Sequence, residues 1–255
     1  MTAHLHGLGV LITRPAAQAQ RLAEAIRAAG GEPLLYPTIA IADTDKPEAA
    51  QQILASLAGF DWAIFISANA VEKTFAFMAP AVWPVKVTVA AIGAATATAL
   101  QERGVKNIFS PAEPFDSEAL LALPEFQSVK NKRIVIFRGQ GGRETLKHTL
   151  TERGAEVVYC ETYRRVKPET PNTKLTLWTE QKKIRAIDVM SGESLVNLLD
   201  MAGGASTAIK QMTLITHHPR VSEMARAAGF ARVFLCASGH EALITVLESL
   251  SLGKL

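Results

Sequence analysis

The amino-acid sequence predicts an α/β protein built from two doubly wound parallel-sheet lobes that are copies of one another. Three observations carry that expectation. An offset of 124 residues lays the segment from Val10 over the segment from Ile134 without a gap, so that Arg14 falls on Arg138, Leu22 on Leu146, Gly30 on Gly154, Glu32 on Glu156 and Thr38 on Thr162. The same offset carries Ser67 onto Ser191, and one residue more carries Gly104 onto Gly229. Within each copy, short apolar runs alternate with amphipathic stretches, the pattern of buried parallel strands covered by helices. A period this long exceeds that of solenoid repeats and has the size of a domain. The cleft between two such lobes is the first place to expect function.

In the first copy, Val10–Thr13 reads as a strand and Arg14–Ala29 as a helix, with Leu22 and Ile26 on its apolar face and Gly30 and Gly31 as stop signals. Leu34–Tyr36 is the next strand, Pro47–Leu57 a helix and Trp62–Ile66 a strand. Phe75 and Met78 continue the helix that follows Ser67. Val85–Ile92 is a strand, Ala94–Arg103 a helix closed by Gly104, and Asn107–Phe109 the last strand. The order resembles a flavodoxin-like lobe. The second copy repeats it at Arg133–Phe137, Glu144–Arg153, Glu156–Tyr159, Ala186–Met190, Ser194–Met201, Met212–Thr216, Val221–Ala228 and Arg232–Leu235. Pro168–Asn172 reads as a loop or hinge, with Ile39–Pro47 as its counterpart in the first copy. The pattern leaves open whether the lobes are consecutive or exchange their first strand and helix.

Composition bounds the function. At 255 residues, 48% apolar and 20% charged, the chain can bury two small cores. The formal charge of +3 is spread among interspersed acids and bases. That favours a small polyanion over nucleic acid as the partner. Cys160 and Cys236 share no metal-type spacing and read as free thiols of a reducing compartment. The amino terminus has no Lys or Arg before its apolar stretch, which ends at Arg14 and Pro15, so it reads as a strand and not a signal peptide. The weakly polar run Val87–Leu100 is shorter than the about 20 residues that span a bilayer. The expected location is the cytoplasm, with no membrane partner.

Ligands of open parallel sheets bind beyond the carboxyl ends of the strands. The residues at those ends are Arg14; Arg138, Gly139 and Arg143; Ser67, Ala68, Asn69 and Ala70; Ser191 and Ser194; Gly93 and Thr96; and His218 and Arg220. Small residues at helix starts expose backbone N–H groups to an anion, and hydroxyls add donors. Each has a structural alternative: Ser67, Ser191 and Thr96 suit helix caps, and Arg14 and Arg138 suit ion pairs with neighbouring carboxylates. The Gly139–Gly142 run lacks both the dinucleotide and the Walker spacing. His217 and His218 are adjacent and point oppositely on a strand, so no metal site is expected. No nucleophile elbow or paired-carboxylate motif is evident.

LITRP at Leu11, DWAIFISANAV at Asp61, VAAIGAATATAL at Val89, FRGQGGRETL at Phe137, RGAEV at Arg153 and ETYRR at Glu161 together resemble uroporphyrinogen-III synthase, in order and over nearly the full chain. The resemblance implies a cofactor-free lyase that closes hydroxymethylbilane to uroporphyrinogen III, with inversion of ring D through a spiro intermediate and loss of water. It implies two lobes joined by a two-stranded β linker: residues 1–36 with 168–255, residues 42–159, and linker strands 37–41 and 160–167. Tyr163 matches the tyrosine proposed to help the hydroxyl leave, its structural alternative being a linker aromatic. The chain departs from the family where His218, Pro219, Arg220 and Val221 replace an expected glycine and threonines, and Arg220 becomes a candidate carboxylate clamp. A monomer that receives its substrate from the upstream bilane-forming enzyme is implied as well. The competing readings are a non-enzymatic two-lobed binder of a small polyanion and a flavodoxin-like redox or receiver domain.

Overall fold

A computed structural model of the protein describes residues 4–78, 82–113, 115–237 and 239–254. The amino-terminal reading of residues 1–3 lies outside them. The chain opens with β1 (Gly9–Ile12), α1 (Ala16–Ala28) and β2 (Glu32–Leu35), followed by β3 (Ala40–Asp43), α2 (Pro47–Ala55), β4 (Trp62–Phe65) and α3 (Ala68–Met78). Then come β5 (Thr88–Ala91), α4 (Ala94–Glu102), β6 (Ile108–Phe109), α5 (Ser117–Ala122) and α6 (Pro124–Gln127). The second copy runs through β7 (Arg133–Gly139), α7 (Thr145–Glu152), β8 (Glu156–Val166), α8 (Thr173–Glu180), β9 (Ala186–Asp188), α9 (Gly192–Ala202) and α10 (Ser206–Ile209). It closes with β10 (Thr213–Thr216), α11 (Pro219–Ala227), β11 (Arg232–Leu235) and α12 (His240–Ser251).

The repeat is visible in the caps. Just beyond α1 and α7, Gly30 and Gly154 take φ of 81° and 86°, the left-handed conformation that ends a helix and that glycine adopts without a Cβ clash.

The chain divides into two compact units, Met1–Ala40 with Val166–Leu255, and Ile41–Arg165. The first holds a five-stranded sheet in the order β11-β10-β9-β1-β2, and its paired strands are parallel. Counted within the unit this is the doubly wound 2-1-3-4-5 order of flavodoxin-like folds. The second unit places the repeat-equivalent strands alike in β8-β7-β4-β5-β6, with β3 added beside β8, but here β7 and β8 follow β4 to β6 along the chain, so its strand order differs from that of the first unit. Each sheet therefore mixes the copies: β1 and β2 of the first copy join β9 to β11 of the second, and β7 and β8 join β4 to β6.

Both sheets bury both faces. In the first unit Leu11, Leu34, Ile187, Leu214 and Val233 pack on one side, and Val10, Ile12, Ala186 and Ile215 on the other. In the second, Phe65, Val89, Val135 and Phe137 face one core, and Ile64, Ala90, Ile134 and Ile136 the opposite one. Alternate residues of each strand feed alternate cores, which is why these strands read as unbroken apolar runs.

Two sequence expectations shift. The strand expected from Val85 begins at Thr88, because Val87 N–H turns back to the Pro84 carbonyl and Val85 is fully exposed. Within the expected loop Ile39–Pro47, residues 40–43 form edge strand β3.

Candidate functional site

In the second unit the sequence-predicted residues gather where the parallel strands end. After β4, Ser67 Oγ accepts the Ala70 amide N–H at 3.1 Å and caps α3. Ala68 and Asn69 occupy the first turn of that helix, Ala68 exposed and Ala70 buried. After β5, Gly93 is the N-cap residue of α4, and Thr96 is buried in its first turn. The β7–β8 register shifts between Arg138 and Gly139, which sets Gly139 opposite Tyr163. That shift lays the tyrosine ring on bare backbone: a Cβ on Gly139 would stand 2.6 Å from Cε2. Tyr163 is 6% exposed, and its Oη lies 3.0 Å from Ser67 Oγ. Gln140 N–H donates to the Tyr163 carbonyl at 2.8 Å, fixing the strand beside the loop.

Arg138 is buried, and its guanidinium is committed to the protein. It donates to the carbonyls of Gly139 and Arg143, each at 3.2 Å, to the Gly141 carbonyl, and to Glu144 Oε1 at 3.1 Å. It also lies 4.3 Å from the centroid of the Tyr159 ring, a cation–π contact. Burial pushes the Tyr159 phenol up to about 12, and the Glu144 carboxylate adds to the rise. These contacts fold residues 139–144 around the arginine as one wall of a cavity of about 360 Å³, lined also by Ile66, Ile92, Ser117, Tyr163 and Arg165. Arg143 is exposed and lines the same cavity.

The first unit is built on the same plan with different chemistry. Ser191 Oγ accepts the Ser194 amide N–H at 3.1 Å and caps α9. The Ser194 hydroxyl turns inward, 2.9 Å from Thr13 Oγ1 and 2.7 Å from Thr38 Oγ1, in a buried network. Arg14 forms a two-pronged pair with Asp188, which is fully buried. His217 is held below its ordinary value by burial first, then by His218 and Arg14. His218 is the N-cap residue of α11 and Pro219 its first helical residue; Arg220, exposed, lines a cavity of about 500 Å³ with Val196, Asn197 and Met224.

The repeat sharpens the contrast. Ser67 and Ser191 both cap a helix, but Tyr163 stands where the first copy has Ile39. Thr38 finds Ser194, whereas its counterpart Thr162 has Ala70 at the equivalent place and a buried hydroxyl without a partner.

The uroporphyrinogen-III synthase HemD family model matches residues 20–242. The chain belongs to the uroporphyrinogen-III synthase family. It is 32% identical to uroporphyrinogen-III synthase of Salmonella typhimurium over 94% of this chain and 100% of that protein. It is 30% identical to the Escherichia coli enzyme with the same coverage. A crystal structure of mutant uroporphyrinogen III synthase from Thermus thermophilus matches its fold with a TM-score of 0.61 at 18% identity, covering 97% of this chain and 100% of that one.

For a uroporphyrinogen-III synthase the site is spare in chemical groups. Among the described residues no cluster of three or more His, Cys, Asp or Glu side chains suits a metal, and no helix is long and apolar enough to cross a membrane. Cys160 is buried, and burial pushes its thiol up to about 12, which leaves it a poor nucleophile near neutrality. Sequence reasoning missed Tyr159, Ser117 and Asp188. Asp188 carried a readable sign, since a carboxylate inside an apolar strand requires a cation, and Arg14 ends the neighbouring strand. Tyr159 and Ser117 carried none, because their place in the cavity depends on how the strands are ordered.

Proposed function

We propose that this chain is a lyase, a cyclising hydro-lyase that converts hydroxymethylbilane to uroporphyrinogen III with inversion of ring D and loss of water. The observation that carries the reading is Tyr163, seated on Gly139 against Ser67 in the wall of the second unit's cavity, in a chain of this family. Electrons of the terminal pyrrole nitrogen expel the hydroxyl, and Tyr163 donates the proton that makes it water. The substituted carbon of ring D attacks the resulting azafulvene, and the spiro intermediate fragments and recloses in the inverted sense.

Free in water hydroxymethylbilane closes without inversion, so the protein's contribution is to hold the substrate where the spiro path is favoured. Its carboxylates are taken up at the strand ends by the helix starts at Ser67–Ala70, Gly93–Thr96 and Ser191, by the loop Gly139–Arg143, and by Arg220. Arg14, Arg138 and Ser194 support those turns from within, which fits the hydrogen bonds each makes to other protein groups. His218 stands at the start of α11, beside Arg220. Segments 37–41 and 160–167 serve as the connection between lobes. The reaction needs no cofactor, and the cytoplasm, with direct transfer from the bilane-forming enzyme, suits a substrate that cyclises spontaneously.

The test is to supply freshly generated hydroxymethylbilane, oxidise the products and separate the isomers. Predominant type III supports the reading. Type I alone, at the uncatalysed rate with folded protein present, overturns it in favour of a polyanion-binding protein.

A further inference from the structure

We propose that Ser67 is the positioning residue for Tyr163: its hydroxyl donates to the phenol oxygen and leaves the phenol proton free to point into the cavity. The inference rests on Tyr163 being the proton donor of the proposed reaction. Two groups meet Ser67 Oγ. The Ala70 amide can only donate, so at 3.1 Å it occupies a lone pair of the serine. The serine keeps its proton and a second lone pair, so its 3.0 Å contact with Tyr163 Oη can run in either direction, and the positioning role takes the serine as the donor. A phenol oxygen that accepts this bond keeps its own proton for a substrate. The ring has little room to swing, since the Gly139 backbone lies against Cε2 and Cζ.

The pairing is particular to one sheet. Ser191 makes the same cap in the first unit, but with Ile39 where the phenol would be. Capping alone therefore does not require a tyrosine, and the Ser67–Tyr163 contact is an addition to the repeat.

The bond gains strength as the reaction proceeds. When the C–O bond breaks, its electron pair leaves on oxygen while the pyrrole nitrogen lone pair forms the new C=N bond. The Tyr163 proton joins the departing oxygen to make water and leaves a phenolate. The Ser67 O–H, first bonded to a neutral phenol, is then bonded to an anion, and charge-assisted hydrogen bonds are stronger than neutral ones. The phenolate recovers a proton when the macrocycle rearomatises. An interaction that tightens only in the transition state appears in kcat and not in KM.

The experiment is a double-mutant cycle on hydroxymethylbilane turnover, with type III product measured and folding of each variant checked by circular dichroism. Ser67→Ala is expected to lower kcat about ten- to hundredfold with KM little changed. Ser67→Asp keeps a cap acceptor but cannot donate, and is expected to lose kcat as Ser67→Ala does, whereas Ser67→Thr retains most of it. In a Tyr163→Phe background, Ser67→Ala is expected to cost nothing further. Wild-type kcat in Ser67→Asp, or the same factor lost in both backgrounds, overturns the positioning role while the synthase reading stands. Full kcat in Tyr163→Phe alone instead removes Tyr163 as the donor, and the inference with it.

Discussion

Arg14 grips Asp188 through two hydrogen bonds, Nε to Oδ2 at 2.7 Å and Nη2 to Oδ1 at 2.9 Å, and the carboxylate is wholly buried at the end of β9. A buried pair of this kind contributes little net stability, but loss of one partner strands the other charge away from water. Arg14→Ala is therefore expected to cost about 3–5 kcal/mol. A paired replacement by Met at 14 and Leu at 188 should recover most of it. Urea unfolding of the three proteins checks this, and an Arg14→Ala protein within about 1 kcal/mol of wild type would contradict the burial argument.

Stability should rise with pH across the weakly acidic range. Burial, with Arg14 adding to it, holds His217 and His240 below their ordinary value of 6.5. Between the lowered values and 6.5 the unfolded chain binds more protons than the folded one, so stability is full above that window and is lost as pH falls through it. The melting temperature is expected to drop between about pH 7 and pH 5, and a His217→Gln, His240→Gln protein should show a shallower drop. Equal slopes in both proteins would assign the acid sensitivity to other groups.

What the sequence made legible was local. Trp62–Phe65 and Ile134–Phe137 are continuous apolar runs because each feeds two cores, and that is readable from the residues alone. Which strands share a sheet is not, since β1 and β7 look alike and their neighbours lie far along the chain. Leu243, Leu247 and Leu250 of α12 carry the helical period and pack under the first sheet, a readable stripe beyond the last predicted strand. Around the second unit's cavity, the strand-end rule pointed to Ser67 and Gly139, while Tyr163 came from the family resemblance alone. The register shift that brings Gly139 under the tyrosine has no mark in the sequence, and neither does the placing of Tyr159 under Arg138.

Gly139→Ala tests the ring's seat. The added methyl would stand 2.6 Å from Tyr163 Cε2 and 2.7 Å from Cζ, so the ring or the loop must move. Overpacking of this sort costs about 1–3 kcal/mol, and here it also displaces the phenol from Ser67. Lower stability together with a kcat reduced about tenfold or more is expected, since misplacement of about 1 Å can cost far more than that in rate. Gly141→Ala is the comparison. It meets no atom within 4 Å, but its φ of 71° disfavours a side chain, so a stability loss of about 1 kcal/mol is expected with kcat largely kept. Equal kcat losses in the two variants would separate the ring's position from catalysis.

Arg138 should matter through the loop it holds. Its guanidinium supplies donors to the carbonyls of Gly139, Gly141 and Arg143 and to the Glu144 carboxylate. A methionine of similar length supplies none, which leaves several carbonyls to find water. Lysine is no conservative replacement, because one ammonium cannot serve four acceptors spread around a planar fork. Arg138→Met and Arg138→Lys are both expected to lose about 2–4 kcal/mol. Faster amide hydrogen exchange should be confined to residues 139–144 and the start of α7, since local opening follows lost hydrogen bonds. If the loop's backbone N–H groups hold substrate carboxylates, KM rises in both variants and added salt weakens the wild type toward them. Unchanged exchange in 139–144 with a raised KM would show instead that the arginine itself meets the substrate.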